Sequence, residues 1–507
     1  MRRKTGKVET MEIVSRGRGC LIVLAVLAPS VRAGDGVPDP RLAPIPAVGR
    51  PKAGNQPPAG ASGMPAALPV QAPPSPAPGG AVGNASGPGI TLSAVIRTAL
   101  EANPDLRSAD ERIRIADATL IKARADFYPK LTLTEAVVDT NIAGLAFFLE
   151  VNQRRLSLSQ NFNNPGFVGN ISTLLTLQYK LYTGGRRTAE ALSAAEQRHA
   201  AAFALDATRN EMVYRVAEAY YRLLQAREIV KSRAAAVDQV KRHLTFVQSR
   251  YDNGTAVRSD LLTVDVRLAE AREGLITATN QAELTWLILE NVTGRRFDHD
   301  VTPENEPAPW TAHVDVIEAA VGEAIVRRPE IGAGQSDVRA AAHQIEAARA
   351  ARRPTLDFIG NFSTFSLNRN SGGDGLFLGL IASLNLFDGH RLKAEVARAS
   401  ARERELEAQQ QRLIMDVELE VRRAFVALRD AEGRLSVSGQ AILQANQSLH
   451  EIEDRYNDDK ATITQLIDAQ VANINARVRR SSAEADVQIA RAGLERVLGR
   501  LTQDSTH

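Results

Sequence analysis

The chain has 507 residues, with 62 Lys and Arg against 59 Asp and Glu and a formal net charge of +3. So small an excess, interleaved along the helical segments rather than gathered into one patch, argues against nucleic acid as a partner. Aromatic residues make up only 5% and the single cysteine is Cys20, which argues against a thick globular core, a disulfide framework or a thiolate centre.

At the N-terminus, Arg2, Arg3, Lys4, Lys7, Arg16 and Arg18 precede the apolar run Leu21 to Ala28, and Val31-Arg32-Ala33 offers a cleavage site before Gly34. Residues 1–33 therefore read as a secretory signal peptide that carries Cys20 away with it. Residues 34–90 are rich in Pro, Gly and Ala and read as a flexible linker, since such a composition buries little apolar surface. No later stretch reaches the roughly 18 uninterrupted apolar residues of a spanning helix, so entry into a membrane requires a closed sheet.

Beyond the linker the chain says nearly the same thing twice. Asn103-Pro104-Asp105-Leu106 returns as Arg328-Pro329-Glu330-Ile331, an offset of 225 (329 − 104), and Tyr128-Pro129-Lys130-Leu131 returns as Arg353-Pro354-Thr355-Leu356. From Leu181-Tyr182-Thr183-Gly184-Gly185-Arg186 and its echo Leu386-Phe387-Asp388-Gly389-His390-Arg391 onward, the offset is 205 (389 − 184). The register slips once, by 20 residues (225 − 205), between Leu131 and Leu181, so one supersecondary unit is duplicated and its first copy carries the longer loop. The copies are assigned to residues 91–307 and 308–507.

Each copy opens with a helix, Leu92 to Phe127 and Val316 to Arg352, stopped by Pro129 and Pro354, which lack an amide hydrogen and push their predecessors out of helical torsions. The period then changes to two. Leu131 and Leu133, then Leu175, Leu177, Tyr179 and Leu181, alternate with Thr and other polar residues; Leu356, Phe358 and Phe362, then Leu376, Leu378, Leu380, Leu384 and Leu386, do the same. This alternation predicts four strands with one apolar and one polar face. Gly184-Gly185 and Gly389 turn strand into helix.

Two helices of about 65 residues follow, Arg186 to Arg250 and Arg391 to Arg455, each reaching roughly 100 Å. Val237, Val240, Leu244, Val247 and Tyr251, with Val213, Val216, Tyr220 and Leu223 and with Ile414, Val417, Val421 and Ala424, trace coiled-coil seams that need partner helices. The partners come from turns at Asp252-Asn253-Gly254 and Asp458-Asp459 into return helices at 259–292 and 463–498, with Ser259 as the N-cap of the first. The fold class is mainly α with a small β part. Four strands fall short of the roughly eight that close the smallest membrane barrels. Either they cover an ordinary core, or several chains share one barrel. No catalytic constellation stands out: the eight histidines are scattered, and neither a metal-ligand spacing nor a phosphate-binding glycine loop occurs.

In their order, these strings resemble the TolC family of outer-membrane efflux and type I secretion channels. The resemblance spans about Ile90 to Leu501 and includes Thr293-Gly294 and Leu498-Gly499 at the ends of the halves. It implies a homotrimer whose subunits pool four strands each into a twelve-stranded barrel in outer-membrane lipid, continued by an α-helical cylinder through the periplasm. It also implies a passive exit duct that meets a periplasmic adaptor (membrane fusion protein) and an inner-membrane pump, with no cofactor. The matching positions for the adaptor-contact tip are Arg250, Tyr251, Gly254, Ser259, Leu261, Leu262, Arg455, Tyr456 and Leu466. Those for the pore constriction are Gln465, where an acid is familiar, and Asp468. The longer loop, near 141–169 with Phe147-Phe148, falls outside the cell, where it either shapes the mouth or varies without consequence. The competing reading is a soluble periplasmic coiled-coil protein without a pore, which leaves the four alternating strands without a purpose.

Overall fold

The computed structural model describes residues 90–501, apart from 158, 160, 298–302, 305–309, 311–315, 369–370 and 459. The signal and the linker lie outside the described residues, as does Asp459. Within them the order is α1 (Leu92–Ala102), α2 (Pro104–Ala125), β1 (Lys130–Thr140), α3 (Ala143–Asn152), β2 (Val168–Tyr182), α4 (Arg186–Asp252) and α5 (Arg258–Thr293). The second copy gives α6 (Ile317–Arg327), α7 (Pro329–Ala350), β3 (Thr355–Asn368), β4 (Ser371–Ser383), α8 (Arg391–Asn457) and α9 (Ile463–Leu498).

The opening helix of each copy is two helices, not one. Proline restricts the residue before it, and Asn103 and Arg328 take extended torsions with ψ of 130° and 124°. Asn103 then caps α2 by accepting the Asp105 amide at 2.7 Å while its Nδ2 donates to the Val292 carbonyl at 2.6 Å. Opposite each break sits the glycine that ends a return helix. Gly294 and Gly499 hold φ of +71° and +73°, and a Cβ on either would press on the chain at the break, at 3.1 Å from Pro104 and 3.2 Å from Arg327. Arg500 reinforces the second joint with a two-pronged pair to Glu323 at 2.6 and 2.8 Å.

α4 and α8 have 67 residues each, about 100 Å of helix. Toward the sheet the helical layer runs α2, α4, α7, α8; away from it, α5, α4, α9, α8. Val213, Val216, Tyr220 and Leu223 on α4 are fully buried against α1, α5 and α9, and Val417 and Val421 on α8 against α6 and α9. The seams hold as read except at Tyr251, which is exposed. α5 begins at Arg258 with Val257 as N-cap and no side-chain cap, so Ser259 lies inside the helix instead of capping it. β4 stops at Ser383, leaving Leu384 and Leu386 in the connection to α8.

The strands form one antiparallel meander in the order β1-β2-β3-β4. The 20-residue difference between the copies is taken up between β1 and β2, where the chain inserts α3.

Candidate functional site

Register decides which side chains share a face of this sheet. Leu131 pairs with Leu177, Leu177 with Gly360 and Gly360 with Leu378; one row outward, Leu133, Leu175, Phe362 and Leu376 stand side by side. Among the described residues nothing covers this face: Leu131, Leu133, Leu376, Leu378 and Leu380 are between 61% and 69% exposed. Contiguous apolar surface left open in this way marks contact with lipid or another chain. Outward the band is interrupted by a polar row, Glu135, Thr173, Thr364 and Asp374, beyond which Val137 pairs with Ile171; at its inner end it is flanked by exposed Tyr128, Tyr182 and Phe387, the residue types favoured at a membrane interface.

The opposite face carries Thr132, Thr176 and Asn361, with Phe377 at the β4 end, in one row and Lys130, Gln178 and Ile359 in another, so it is polar on β1 and β2 and mixed toward β4. Where it meets the helices, a cavity of about 1010 Å³ is lined by charged groups that include Asp126, Lys180, Arg186, Asp357, Arg391 and Glu395. With 11, 15, 14 and 13 residues, every strand reaches the roughly 9–11 residues needed to cross a bilayer at a tilt. Among the described residues β1 and β4 each pair on one side only, so the sheet ends in two open edges, which lipid does not tolerate.

Pro129 and Pro354 stand immediately before β1 and β3. On the return, Gly184 and Gly389 share a φ of +65°, but Gly185 at +91° is replaced in the second copy by His390 at +70°. Gly184 lies against Ala350 and Arg353, and Arg353 Nη1 donates to its carbonyl at 2.8 Å.

At the far end both hairpin turns close alike: the Thr255 amide donates to the Arg250 carbonyl at 2.8 Å and the Lys460 amide to the Arg455 carbonyl at 2.7 Å. The tip residues then divide. Tyr251, Gly254, Ser259, Leu262 and Arg455 are exposed, and Arg250 lies over the Phe246 ring at 5.8 Å. Tyr456 and Leu466 are buried in a cluster with Val247, Val264, Ile463 and Ile467, and Leu261 packs against it. That cluster joins the two hairpins of one chain. Gln465 is committed to a capping box, its Oε1 accepting the Thr462 amide at 2.9 Å while Thr462 caps it in return. Asp468 is exposed one turn further on and makes no ion pair among the described residues.

Sequence reasoning passed over the polar contacts behind the tip. His243 on α4 bonds Gln470 on α9, Gln239 reaches Glu453 at 3.1 Å, and Asn473 reaches Asn446 at 2.7 Å. Burial holds the His243 ring below its ordinary pKa, with Arg242 acting the same way and Glu453 opposing. The signal for such contacts lay on α9, where Gln470 and Asn473 continue the spacing of Ile463 and Leu466 at positions that call for apolar residues. Among the described residues no group of three or more His, Cys, Asp or Glu is placed to hold a metal, and no helix is long and apolar enough to cross a membrane.

The profile of the outer membrane efflux protein family matches residues 95–295 and 320–500. Protein CyaE of Bordetella pertussis is 27% identical over 398 residues, covering 77% of this chain and 80% of that protein. The pyoverdine export outer membrane protein OpmQ of Pseudomonas aeruginosa is 22% identical over 410 residues, covering 80% of this chain and 83% of that protein. Among solved structures, the CmeC outer membrane channel of Campylobacter jejuni superposes with a TM-score of 0.70 at 16% identity, over 80% of this chain and 85% of that one, a likeness of fold.

Proposed function

We propose that this chain, which belongs to the outer membrane efflux protein family, is the passive exit duct of a tripartite efflux pump or type I secretion system. It is an outer-membrane channel protein; the partners, the subunit number and the site roles that follow are our reading. The observation that carries it is the sheet: one face apolar and exposed on all four strands, the other with Lys130, Thr132, Thr176, Gln178 and Asn361 on β1 to β3 beside Phe377 and Ile381 on β4, and both edges open. Three copies placed edge to edge give a twelve-stranded barrel with the apolar rows in lipid and Thr176, Gln178 and Asn361 facing water. The helical layer supports the same count of open sides. α2 and α5 lie at one edge and α8 at the other, with bare apolar residues at Ile115 on α2, Val266 and Ile276 on α5, and Val426 and Val437 on α8.

The two repeats at 91–307 and 308–507 build the duct. The hairpin turns meet a periplasmic adaptor through the exposed part of the tip, Tyr251, Gly254, Ser259 and Leu262, with Arg455 on the second hairpin. Asp468 supplies one ring of carboxylates near the entrance; Gln465, neutral and engaged in its capping box, supplies none. Energy comes from the inner-membrane pump. The test is extraction in detergent followed by single-channel recording and adaptor crosslinking at Leu262. A heat-resistant trimer that conducts and crosslinks bears the reading out. Monomers in the aqueous periplasmic fraction would favour the coiled-coil alternative.

A further inference from the structure

The insertion between β1 and β2 folds back onto the sheet, and the face it covers is the polar one. Val168, Thr140 and Asn170 belong to the same face as Thr176, because side chains alternate and Thr140 pairs with Val168 as Thr132 pairs with Thr176. Ala146 and Leu149 of α3 are buried against Val168 and Phe365 of that face. Gln153, 2% exposed, donates from Nε2 to the Gly169 carbonyl at 2.8 Å and to Asn170 Oδ1 at 2.9 Å. Arg154, two residues past α3, holds φ of +59°, a torsion that costs an L-residue about 1–2 kcal/mol, and reaches round the outer rim of the sheet to pair with Asp374 of the other face at 3.0 Å. A Cβ on Gly373 would collide with the Asn152 carbonyl. So many contacts, including a strained one, fix α3 in one place.

With Ala146, Leu149 and Gln153 toward the sheet, the 3.6-residue period aims Phe147, Phe148 and Val151 away from it. All three are exposed, and Phe147 stacks edge-on with Phe148 at 5.8 Å and with Phe162 at 5.5 Å. An apolar helix is thus held over the polar wall, showing its aromatic side to the space that wall encloses.

We propose that Phe147, Phe148 and Val151 form an apolar constriction across the outer mouth of the barrel and select against water and hydrated solutes. The inference rests on the reading of the sheet as one third of a barrel with Thr176 facing inward. Twelve strands about 4.8 Å apart and tilted by about 40° form a cylinder about 24 Å across at the backbone, which inward side chains narrow further. Three helices about 10 Å wide, one per chain, together need about 22 Å, so three copies of α3 nearly fill it. A pore lined by aromatic side chains at that width gates by dewetting. Cargo leaves by displacing the helices or by presenting an apolar surface to them.

The test uses Thr176→Cys, on the inward face below the constriction, in a chain whose own cysteine is Cys20. Intact cells are treated with a membrane-impermeant charged maleimide from outside. The labelling rate at position 176 should rise several-fold when Phe147→Ser and Phe148→Ser are added, with oligomer yield and heat resistance unchanged. Equal, fast labelling with and without the two serines would overturn the constriction and leave the channel standing. No labelling in either background, with Phe148→Cys labelled as a control, would overturn the inward orientation of Thr176 and the barrel reading with it. Replacing Gly144, which lies on the same outward side with nothing within 4 Å, by serine controls for added polarity alone and should leave the rate unchanged.

Discussion

Leu378 offers the most direct trial of the two-faced sheet. It stands mid-strand in the row Leu131, Leu177, Gly360, Leu378 and is 61% exposed. If that face meets lipid, Leu378→Arg places a guanidinium near the middle of the bilayer, which costs about 2–4 kcal/mol per chain. A trimer carries the penalty three times, about 6–12 kcal/mol, comparable to the roughly 5–15 kcal/mol that holds a typical domain together. Thr176→Arg introduces the same charge at nearly the same depth on the other face, where water receives it and the cost is about zero. The assay is the amount of heat-resistant oligomer in the outer-membrane fraction, read on unboiled gels. Leu378→Arg should abolish it, while Thr176→Arg should preserve it and shift single-channel selectivity toward anions. Equal damage from the two substitutions, or a silent Leu378→Arg, would refute the assignment of faces.

Four further outcomes follow from single contacts. Gly184→Ala and Gly389→Ala both force alanine into a left-handed torsion at about 1–2 kcal/mol, but only at Gly184 does the new Cβ lie 2.7 Å from the Ala350 carbonyl; overpacking adds about 1–3 kcal/mol there, so thermal unfolding followed by circular dichroism should fall further for Gly184→Ala. Glu323→Gln breaks the charged pair with Arg500 and should cost about 1–3 kcal/mol. Because that hydrogen bond is the main reason the Glu323 pKa is lowered, its stabilisation is present above the ordinary carboxylate pKa and is lost as pH falls through the folded value; a pH series of melting temperatures on wild type and variant should converge in acid. His243 behaves with the same sign for a different reason: burial lowers its pKa from 6.5, so the tip is tightest above that value and loosens as pH falls below it, which hydrogen exchange of the α4 and α9 tip amides detects and His243→Gln abolishes. Asp468→Asn should weaken cation preference in planar bilayers, and unchanged reversal potentials would remove Asp468 from the constriction.

Much of the architecture was legible because its punctuation is local. A proline before each first strand, a glycine after each second one and period-two alternation between them are carried by neighbouring residues. The misread helix breaks show the limit: the apolar period runs on across Asn103 and Arg328, and only the torsional restriction from Pro104 and Pro329, the same effect already invoked at Pro129, betrays them. Ser259 was a good capping residue in the wrong place, since the helix starts at Arg258, after an extended Val257 that offers no side-chain cap.

What stayed hidden depends on contacts between residues far apart in sequence. Tyr251 and Tyr456 occupy matching positions of the repeat, yet one is 39% exposed and the other 9%, because Phe246 of the first hairpin and Ile463 of the second close over Tyr456 alone. The register slip located the insertion between β1 and β2 but said nothing of its direction. That direction is set by Phe365, roughly two hundred residues beyond α3, whose place in the β2–β3 register puts it on the polar face. A duplicated sequence therefore fixes two similar local units. The differences that give each end of the duct its character arise only when β2 meets β3 and when the α4–α5 hairpin packs against α8 and α9.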